Sequence, residues 1–498
     1  EFAKAAVRAK TAGYDGIELH AAHGYLLAQF MSPGTNDRTD RYGGTLENRM
    51  AFLLQVVAAC RQAVGPAFPI TVRVSGEEHT EGGQNITDTV LGAVMLEAAG
   101  VDAIHVSAGG IWDPEWIIDP MPHPEGCKVD LARAVKDAVS IPVITVGVLR
   151  HPEYAEEVLA RGEADFVALG RALLADPFWP EKAAKGCGED ITRCFSCNWC
   201  STRSSAGLAI RCTVNPEAGD PGWVTRLARK PDRTKRVLVV GGGAAGLEAA
   251  RVAALRGHEV HLHEALSELG GQLSFASKVL GKDKIGWMLD DLIRDVAATT
   301  AQVATDSTVT PELVAELSPD VVILACGGRP AKPPIPGIDG DRVISAWDFL
   351  RNPSEVSGQS FVVVGGSSTG CEVAVDVADR GATVAIVEMR DALAMEMEPI
   401  ARREVRDEIA DSPDIDVYLS HRVTAIDGGE VTTIGPDGVE RVVKGDRVIL
   451  AIGTASERGL AVELAQSGIQ EVYQIGDASR PATIHQALTD ARGVAASI

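Results

Sequence analysis

The chain has 498 residues, 45% hydrophobic and 23% charged, with a formal net charge of −22. That length exceeds a single hydrophobic core and implies about three domains, while the negative balance excludes the cationic footprint that nucleic acid or an anionic membrane surface would require. The nine cysteines are odd in number, and five (Cys60, Cys127, Cys187, Cys326 and Cys371) lie scattered, which excludes a secreted disulfide framework and, with no signal-peptide pattern and no long apolar run, points to a cytoplasmic location.

The sequence opens in what reads as a helix already under way (EFAKAAVRAKTAGYDG) and stops inside another (DARGVAASI). Both ends therefore read as cut from a longer polypeptide. Short β-rich runs are expected at 16–20 (GIELH), 69–74 (PITVRV), 103–107 (AIHVS), 142–146 (PVITV) and 166–169 (FVAL). Amphipathic helical stretches separate them at 48–64, 87–99 and 129–139. Repeated βα units predict a parallel sheet. Polar and glycine residues follow the runs: His20, His23 and Tyr25; Arg73; Ser107; Gly147; Gly170 and Arg171. In a (β/α)8 TIM barrel that edge of the strands carries the site. Five strands cannot close such a barrel, so residues 1–184 are expected to be its C-terminal part, with three further strands preceding them.

Next comes Cys194-x2-Cys197-x2-Cys200-x11-Cys212, in an irregular stretch ending NPEAGDPGW. Four thiolates at these gaps suit the corners of a [4Fe–4S] cube. A tetrahedral zinc or a pair of disulfides are the alternatives. The following sequence favours the cluster, because VLVVGGGAAG runs from an apolar strand into a glycine turn, and a cluster beside a dinucleotide-binding fold is an electron relay. Residues 185–233 are thus expected to form a small iron–sulfur linker domain.

Two Rossmann-like lobes are expected after it. In the first, Gly241 permits the tight turn, Gly243 lets a pyrophosphate approach the backbone, and Gly246 allows helix–strand packing. Glu264 ends the next strand, where a carboxylate accepts ribose hydroxyls. The second turn runs from Gly365 to Gly370, with Ser367 in place of the middle glycine, and its strand ends at Glu388. Glu388 repels a 2′-phosphate, which favours NADH, and Arg390 two residues on tempers that preference toward NADPH. Short hairpins are expected around residues 417–448. Gly476-Asp477 resembles the closing element of two-lobe flavoprotein reductases, in which the aspartate binds the flavin ribitol. The resulting division is 234–345 with 456–498 as an FAD lobe, and 346–455 as an inserted NAD(P) lobe.

HAAHGYLLAQFMSPGTNDRTDRYGGTLENR, from His20 to Arg49, closely resembles the signature of the Old Yellow Enzyme family. With the cysteine motif and two reductase lobes behind it, the whole chain resembles the large iron–sulfur branch of that family, which includes 2,4-dienoyl-CoA reductase, enoate reductases and trimethylamine dehydrogenase. The resemblance implies FMN in the barrel, a [4Fe–4S] cluster beside it, and FAD in the C-terminal lobes. It implies that His20 and His23 grip a carbonyl or carboxylate and that Tyr25 donates a proton. It also implies that Arg73 lies near the flavin N1 and O2, and that Gly147, Gly170 and Arg171 hold the FMN phosphate. The expected activity is NADH-dependent reduction of an activated C=C bond in an unsaturated carbonyl compound or acyl-CoA. A homo-oligomer is left open. The rival is an amine dehydrogenase that passes electrons outward. The x2 gap between Cys197 and Cys200 leans toward the rival, whereas the His20 and His23 pair and Glu388 lean toward the reductase; Trp112 and Trp116 lie on the loop where the amine dehydrogenases carry an aromatic bowl, but that bowl is not evident.

Overall fold

The computed structural model describes residues 1–353, 355–465 and 469–498; residue 354 of the expected NAD(P) lobe and residues 466–468 of the expected FAD lobe lie outside the described residues. The chain divides into two units, Glu1–Ser196 and Cys197–Ile498, so the division falls inside the 185–233 segment.

In the first unit, β1 (Ile17–Ala21), β2 (Ile70–Ser75), β3 (Ala103–Ser107), β4 (Val143–Thr145) and β5 (Phe166–Val167) form one parallel sheet in chain order. Parallel neighbours need a crossover, and the helices Leu46–Val64, Ile86–Ala98, Val129–Lys136 and Pro152–Ala160 supply it. The Thr45 and Asn85 side chains start two of these by accepting the backbone N–H of Asn48 and Asp88, which satisfies donors the first helical turn leaves open. Alternation along each strand assigns the faces. Leu19, Val72, Ile104 and Val143 are buried against helical residues such as Leu53, Val57 and Leu96. The opposite face carries His20, Arg73 and His105, which are aligned by register: His20 pairs with Arg73, and Arg73 with His105.

The second unit contains two five-stranded parallel sheets of the same design. The first runs, in spatial order, Glu471–Gln474, Val321–Leu324, Arg236–Val240, Glu259–His263 and Gln302–Ala304. The second runs Val343–Ser345, Arg447–Leu450, Ser360–Val364, Thr383–Val387 and Ile415–Tyr418. The second sheet lies wholly between two strands of the first in sequence. A three-stranded antiparallel sheet, Arg422–Asp427, Glu430–Ile434 and Glu440–Lys444, interrupts it. Two local expectations change. The run at 417–448 is not all hairpin, because Ile415–Tyr418 pairs in parallel with Thr383–Val387. The cysteine stretch is not wholly irregular either: Trp199–Ser205 is helical and carries Cys200. Among the described residues no helix is long and apolar enough to cross a membrane.

The two glycine turns superimpose in their constraints. Gly241 and Gly365 both have φ +106°, and a Cβ on either would lie 2.5 Å from a backbone oxygen, that of Ala325 or Ala451. A Cβ on Gly246 would lie 1.8 Å from the Gly241 oxygen, and one on Gly370 1.8 Å from the Gly365 oxygen. Those helices can therefore pack on their strands only with no side chain at that position. Gly246→Ala should destabilise the second unit by about 1–3 kcal/mol, the usual cost of overpacking, read as a lower urea midpoint.

Candidate active site and cofactor sites

The site in the first unit is built on the open ends of β1 to β3. His23 follows β1 in a left-handed conformation (φ 62°). Its backbone N–H donates to Ser75 Oγ (3.1 Å), and that hydroxyl donates to the Gly109 carbonyl (2.7 Å). Its Nε2 lies 2.9 Å from Ser107 Oγ. Arg73 donates to the same Ser107 oxygen (3.3 Å). The His20 ring stands 5.1 Å from that of His23 and 5.0 Å from that of Tyr25. The three residues named from sequence and Arg73 are thus gathered in one place. His23 is buried and Tyr25 is exposed.

Electrostatics keeps the two imidazoles neutral. Burial, then the Arg73 guanidinium and His20, depress His23 to about 3. Burial and Arg73 also lower His20, with Glu18 opposing. Glu18 itself is engaged by His105 (3.0 Å), which outweighs burial and holds its carboxyl below the usual range. Burial pulls the Arg73 guanidinium down as well. Arg73 Nε and His105 Nε2 are buried without a hydrogen-bond partner, and they sit at paired positions on one face. Buried polar atoms normally have partners, so this row fits a polar, electron-rich ligand such as a flavin ring.

Gly147 (φ 126°) follows β4, and Gly170 precedes the short helix Arg171–Ala175. Arg171 donates to the Asp119 carbonyl (2.7 Å) and approaches its carboxylate (3.5 Å). Lys128 donates to the same carboxylate (2.7 Å). A Cβ on Gly147 would meet the Lys128 and Cys127 side chains at 3.2 and 3.3 Å. Asp119, His123 and Cys127 converge as potential metal donors. However, Lys128 already neutralises Asp119, and burial with the Asp119 charge pushes the Cys127 thiol up to about 12, which is a poor ligand set. Trp116, on the loop after β3, stacks on His79 (3.8 Å) and lies 4.4 Å from His123. Trp112 is exposed.

Sequence reasoning placed Ser107 at the site-bearing strand edge without a role and did not single out Ser75, His105, Asp119 or Lys128. The two serines and His105 carried a signal, because they share strand parity with Arg73. Lys128 carried none.

None of the nine cysteines is in a disulfide. Cys194 is buried. Burial pushes its thiol up, but the Arg150 and Arg171 guanidiniums outweigh that and hold it below the ordinary value. Ser196 and Asn198, between the first three cysteines, have φ 58° and 55°. Such left-handed residues turn successive N–H groups inward, as iron–sulfur sites use them. Thr213 Oγ1 lies 3.3 Å from Cys197 Sγ. The donor set and its backbone fit an iron–sulfur cluster.

In the FAD-type lobe, a Cβ on Gly243 would meet nothing within 4 Å, so the turn is open to a phosphate group. Glu264 accepts the Gly242 N–H (2.6 Å) and the Leu266 N–H (2.9 Å). Asp477 accepts from Gln272 (2.8 Å) and from the Ala482 N–H (3.1 Å). Glu388 repeats the arrangement of Glu264, accepting from the Gly366 N–H (2.5 Å) and the Arg390 N–H (2.8 Å). A cavity of about 620 Å³ opens beside it, lined by Gly365, Ser367, Glu388, Arg390, His421 and Thr424 among others. The Arg390 side chain pairs with Glu396 across the same cavity.

Residues 1–190 match the model of the NADH:flavin oxidoreductase / NADH oxidase family. Residues 276–491 match pyridine nucleotide-disulphide oxidoreductases, and 239–293 an NAD(P)-binding Rossmann-like domain. Over 501 residues the chain is 43% identical to an NADH oxidase of Thermoanaerobacter brockii, covering 99% of this chain and 76% of that protein. The chain belongs to the NADH:flavin oxidoreductase / NADH oxidase family. It is a flavin-dependent oxidoreductase with an FMN-binding unit and an NAD(P)-binding, FAD-type unit. A 2-naphthoyl-CoA reductase in complex with 2-naphthoyl-CoA shares its fold with a TM-score of 0.92 at 28% identity, over 100% of this chain and 75% of that one. Histamine dehydrogenase from Rhizobium sp. 4-9 matches with a TM-score of 0.88 at 30% identity, over 100% and 76%.

Because His23 is depressed in the fold, the unfolded chain takes up a proton that the folded chain refuses. The stability this group contributes is complete above its ordinary value of 6.5 and is lost as pH falls toward about 3. His23→Gln, which cannot titrate there, should show a smaller loss of stability across that window in urea melts at stepped pH. The His23 ring resonances of the wild type should remain those of a neutral imidazole at pH 5.

Proposed function

We infer that the protein reduces a C=C bond conjugated to a carbonyl, in a free acid or an acyl-CoA, at the expense of NADH. The observation that carries this reading is two neutral imidazoles, His20 and His23, set about 5 Å from each other and with Tyr25 beside the first, against the half-buried cation Arg73. When bound, FAD, a [4Fe–4S] cluster and FMN supply the redox chemistry: a hydride taken from NADH, electrons relayed singly, and a hydride delivered to carbon.

The residues divide that work. Cys194, Cys197, Cys200 and Cys212 hold the cluster. Gly241, Gly243, Gly246, Glu264 and Asp477 hold FAD, in a lobe formed by 234–345 and 456–498. Gly365, Gly370 and Glu388 hold NADH in the inserted lobe, 346–455. Arg73, Gly147, Gly170 and Arg171 hold FMN in 1–184. His20 and His23 donate N–H groups to the substrate carbonyl oxygen as it gains negative charge. Ser107 Oγ accepts from Arg73 and lies within hydrogen-bond reach of His23 Nε2, which orients the imidazole. Tyr25 protonates the α-carbon as general acid.

One observation favours a second reading, amine oxidation with electrons passed outward. The likeness to histamine dehydrogenase is nearly as high as that to the naphthoyl-CoA reductase. Against it, the second lobe has a full set of glycine-turn and carboxylate contacts, which suits a bound dinucleotide.

Anaerobic stopped-flow separates the two. Rapid flavin bleaching by NADH supports the reductase, and bleaching by amines alone supports the rival. Tyr25→Phe should leave bleaching by NADH intact and slow reoxidation by an enoate or enoyl-CoA by ~10²–10⁴-fold, the usual weight of general acid catalysis. Enone reduction at the wild-type rate would assign the proton to another group. A second variant addresses the nucleotide. Glu388→Gln removes the charge and keeps an acceptor for the Gly366 N–H. The ratio of kcat/KM for NADPH to that for NADH should rise roughly tenfold, the factor that 1.4 kcal/mol of relieved repulsion gives. A wild type that already prefers NADPH would overturn this role for Glu388.

A further inference from the structure

The C-terminal helix Ile484–Ser497 meets the cysteine segment at two places. The His485 ring lies 4.5 Å from that of Trp199, the residue before Cys200. Two turns on, Arg492 is buried and its guanidinium is used on three sides. Nε donates to Glu248 Oε1 (2.5 Å), one terminal nitrogen to the Thr213 carbonyl (2.9 Å), and the other to the Val214 carbonyl (3.0 Å). Thr213 and Val214 are the residues immediately after Cys212.

Glu248 anchors this contact from the other direction. It is 1% exposed on the helix Ala244–Leu255, which begins at the first glycine turn. Arg251 also donates to both of its oxygens (2.7 and 2.9 Å). Burial pushes the Glu248 carboxyl up, but Arg251 and Arg492 overcome it and bring the group to about 2. A buried carboxylate so held is ionised, and a buried group with charge-assisted bonds is rigid. The trio carries two positive charges and one negative, so one positive charge remains beside the Cys212 backbone.

Thr213 completes the connection. It is 1% exposed, and its hydroxyl lies 3.3 Å from Cys197 Sγ. A sulfur that ligates iron has no proton, so the hydroxyl must be the donor. Hydrogen bonds to cluster sulfurs and nearby positive charge favour the reduced, more negative state.

We propose that Arg492 is a positioning residue for the iron–sulfur site: it holds the backbone behind Cys212 to the FAD-lobe helix and keeps the Thr213 hydroxyl on the Cys197 sulfur, which raises the reduction potential of the cluster. This rests on the cluster reading of the four cysteines. The link is mechanical as well as electrostatic, because one guanidinium joins the helix that follows the FAD-type glycine turn to the loop that follows the fourth ligand.

The test uses the full chain, purified anaerobically and titrated potentiometrically with the cluster followed by EPR. Iron content of the wild type is the first measurement. About four iron atoms per chain support the cluster reading, and their absence overturns that reading and this proposal together. Thr213→Val, close in volume, should keep its iron and shift the oxidised-to-reduced ratio at a fixed potential about tenfold toward oxidised, equal to ~59 mV for one electron. Thr213→Ser should restore the wild-type potential. Arg492→Lys keeps the charge but cannot reach three acceptors, and should shift the potential in the same direction while releasing iron faster to a chelator. With iron retained, an unchanged potential in Thr213→Val overturns the proposal and leaves the cluster reading standing. A shift in Thr213→Val but none in Arg492→Lys overturns the positioning role of Arg492.

Discussion

A guanidinium drawn partly out of water needs negative charge or acceptors around it, because water solvates it less. Arg73 is half-buried with its Nε fully enclosed, and the site in the first unit is arranged about it. Its charge helps to keep His20 and His23 neutral. One of its nitrogens fixes Ser107, which in turn holds His23. Its Nε is left without a partner on the face where a flavin would lie. Burial and, after it, this cation keep the two imidazoles from becoming imidazolium ions. In the neutral state His23 keeps one N–H donor and one acceptor nitrogen, and its Nε2 meets the Ser107 hydroxyl.

The second unit solves one problem twice. Each lobe must bring a helix N-terminus up to a strand end closely enough for a dinucleotide to touch backbone. Both do so with a left-handed glycine against a carbonyl of the neighbouring strand, and a second glycine whose Cβ would collide with the first one's oxygen. In both, a strand-end carboxylate accepts a backbone N–H of the turn. Glu264 and Glu388 are thus braces for the loops, besides the ribose contacts we propose for them. Their second function constrains substitution, because removing the acceptor would strand a buried N–H and loosen the turn.

Electron flow between cofactors depends on their spacing being held, and backbone loops alone hold spacing poorly. Around the last cysteine the chain uses buried charge instead. Glu248, Arg251 and Arg492 come from two helices, and through Thr213 and Val214 they grip the segment next to Cys212. A buried ion network of this kind adds little net stability, since desolvation offsets the Coulomb attraction. Its value lies in fixing one geometry.

The sequence alone determined the features that depend on neighbours along the chain. The five barrel strands, the helices between them and both glycine turns were legible from hydrophobic period and glycine placement, because those elements form from local backbone preference and one-sided burial. The clustering of His20, His23 and Tyr25 was legible because the three side chains fall within six positions of one strand end. Two local features are not legible there: the cysteine pattern hides the helix Trp199–Ser205, and the short strand Ile415–Tyr418 carries no sign of the parallel partner it pairs with. Tertiary structure alone decided what depends on register and on residues far apart. Nothing in the sequence places Ser107 between Arg73 and His23, sets Lys128 against Asp119, or brings Arg492 onto Thr213 from 279 positions away. Those contacts arise when parallel strands align or helices pack, and the energy that selects them is the cost of leaving a buried charge or hydrogen-bonding group unpaired, which no single segment of the chain can register.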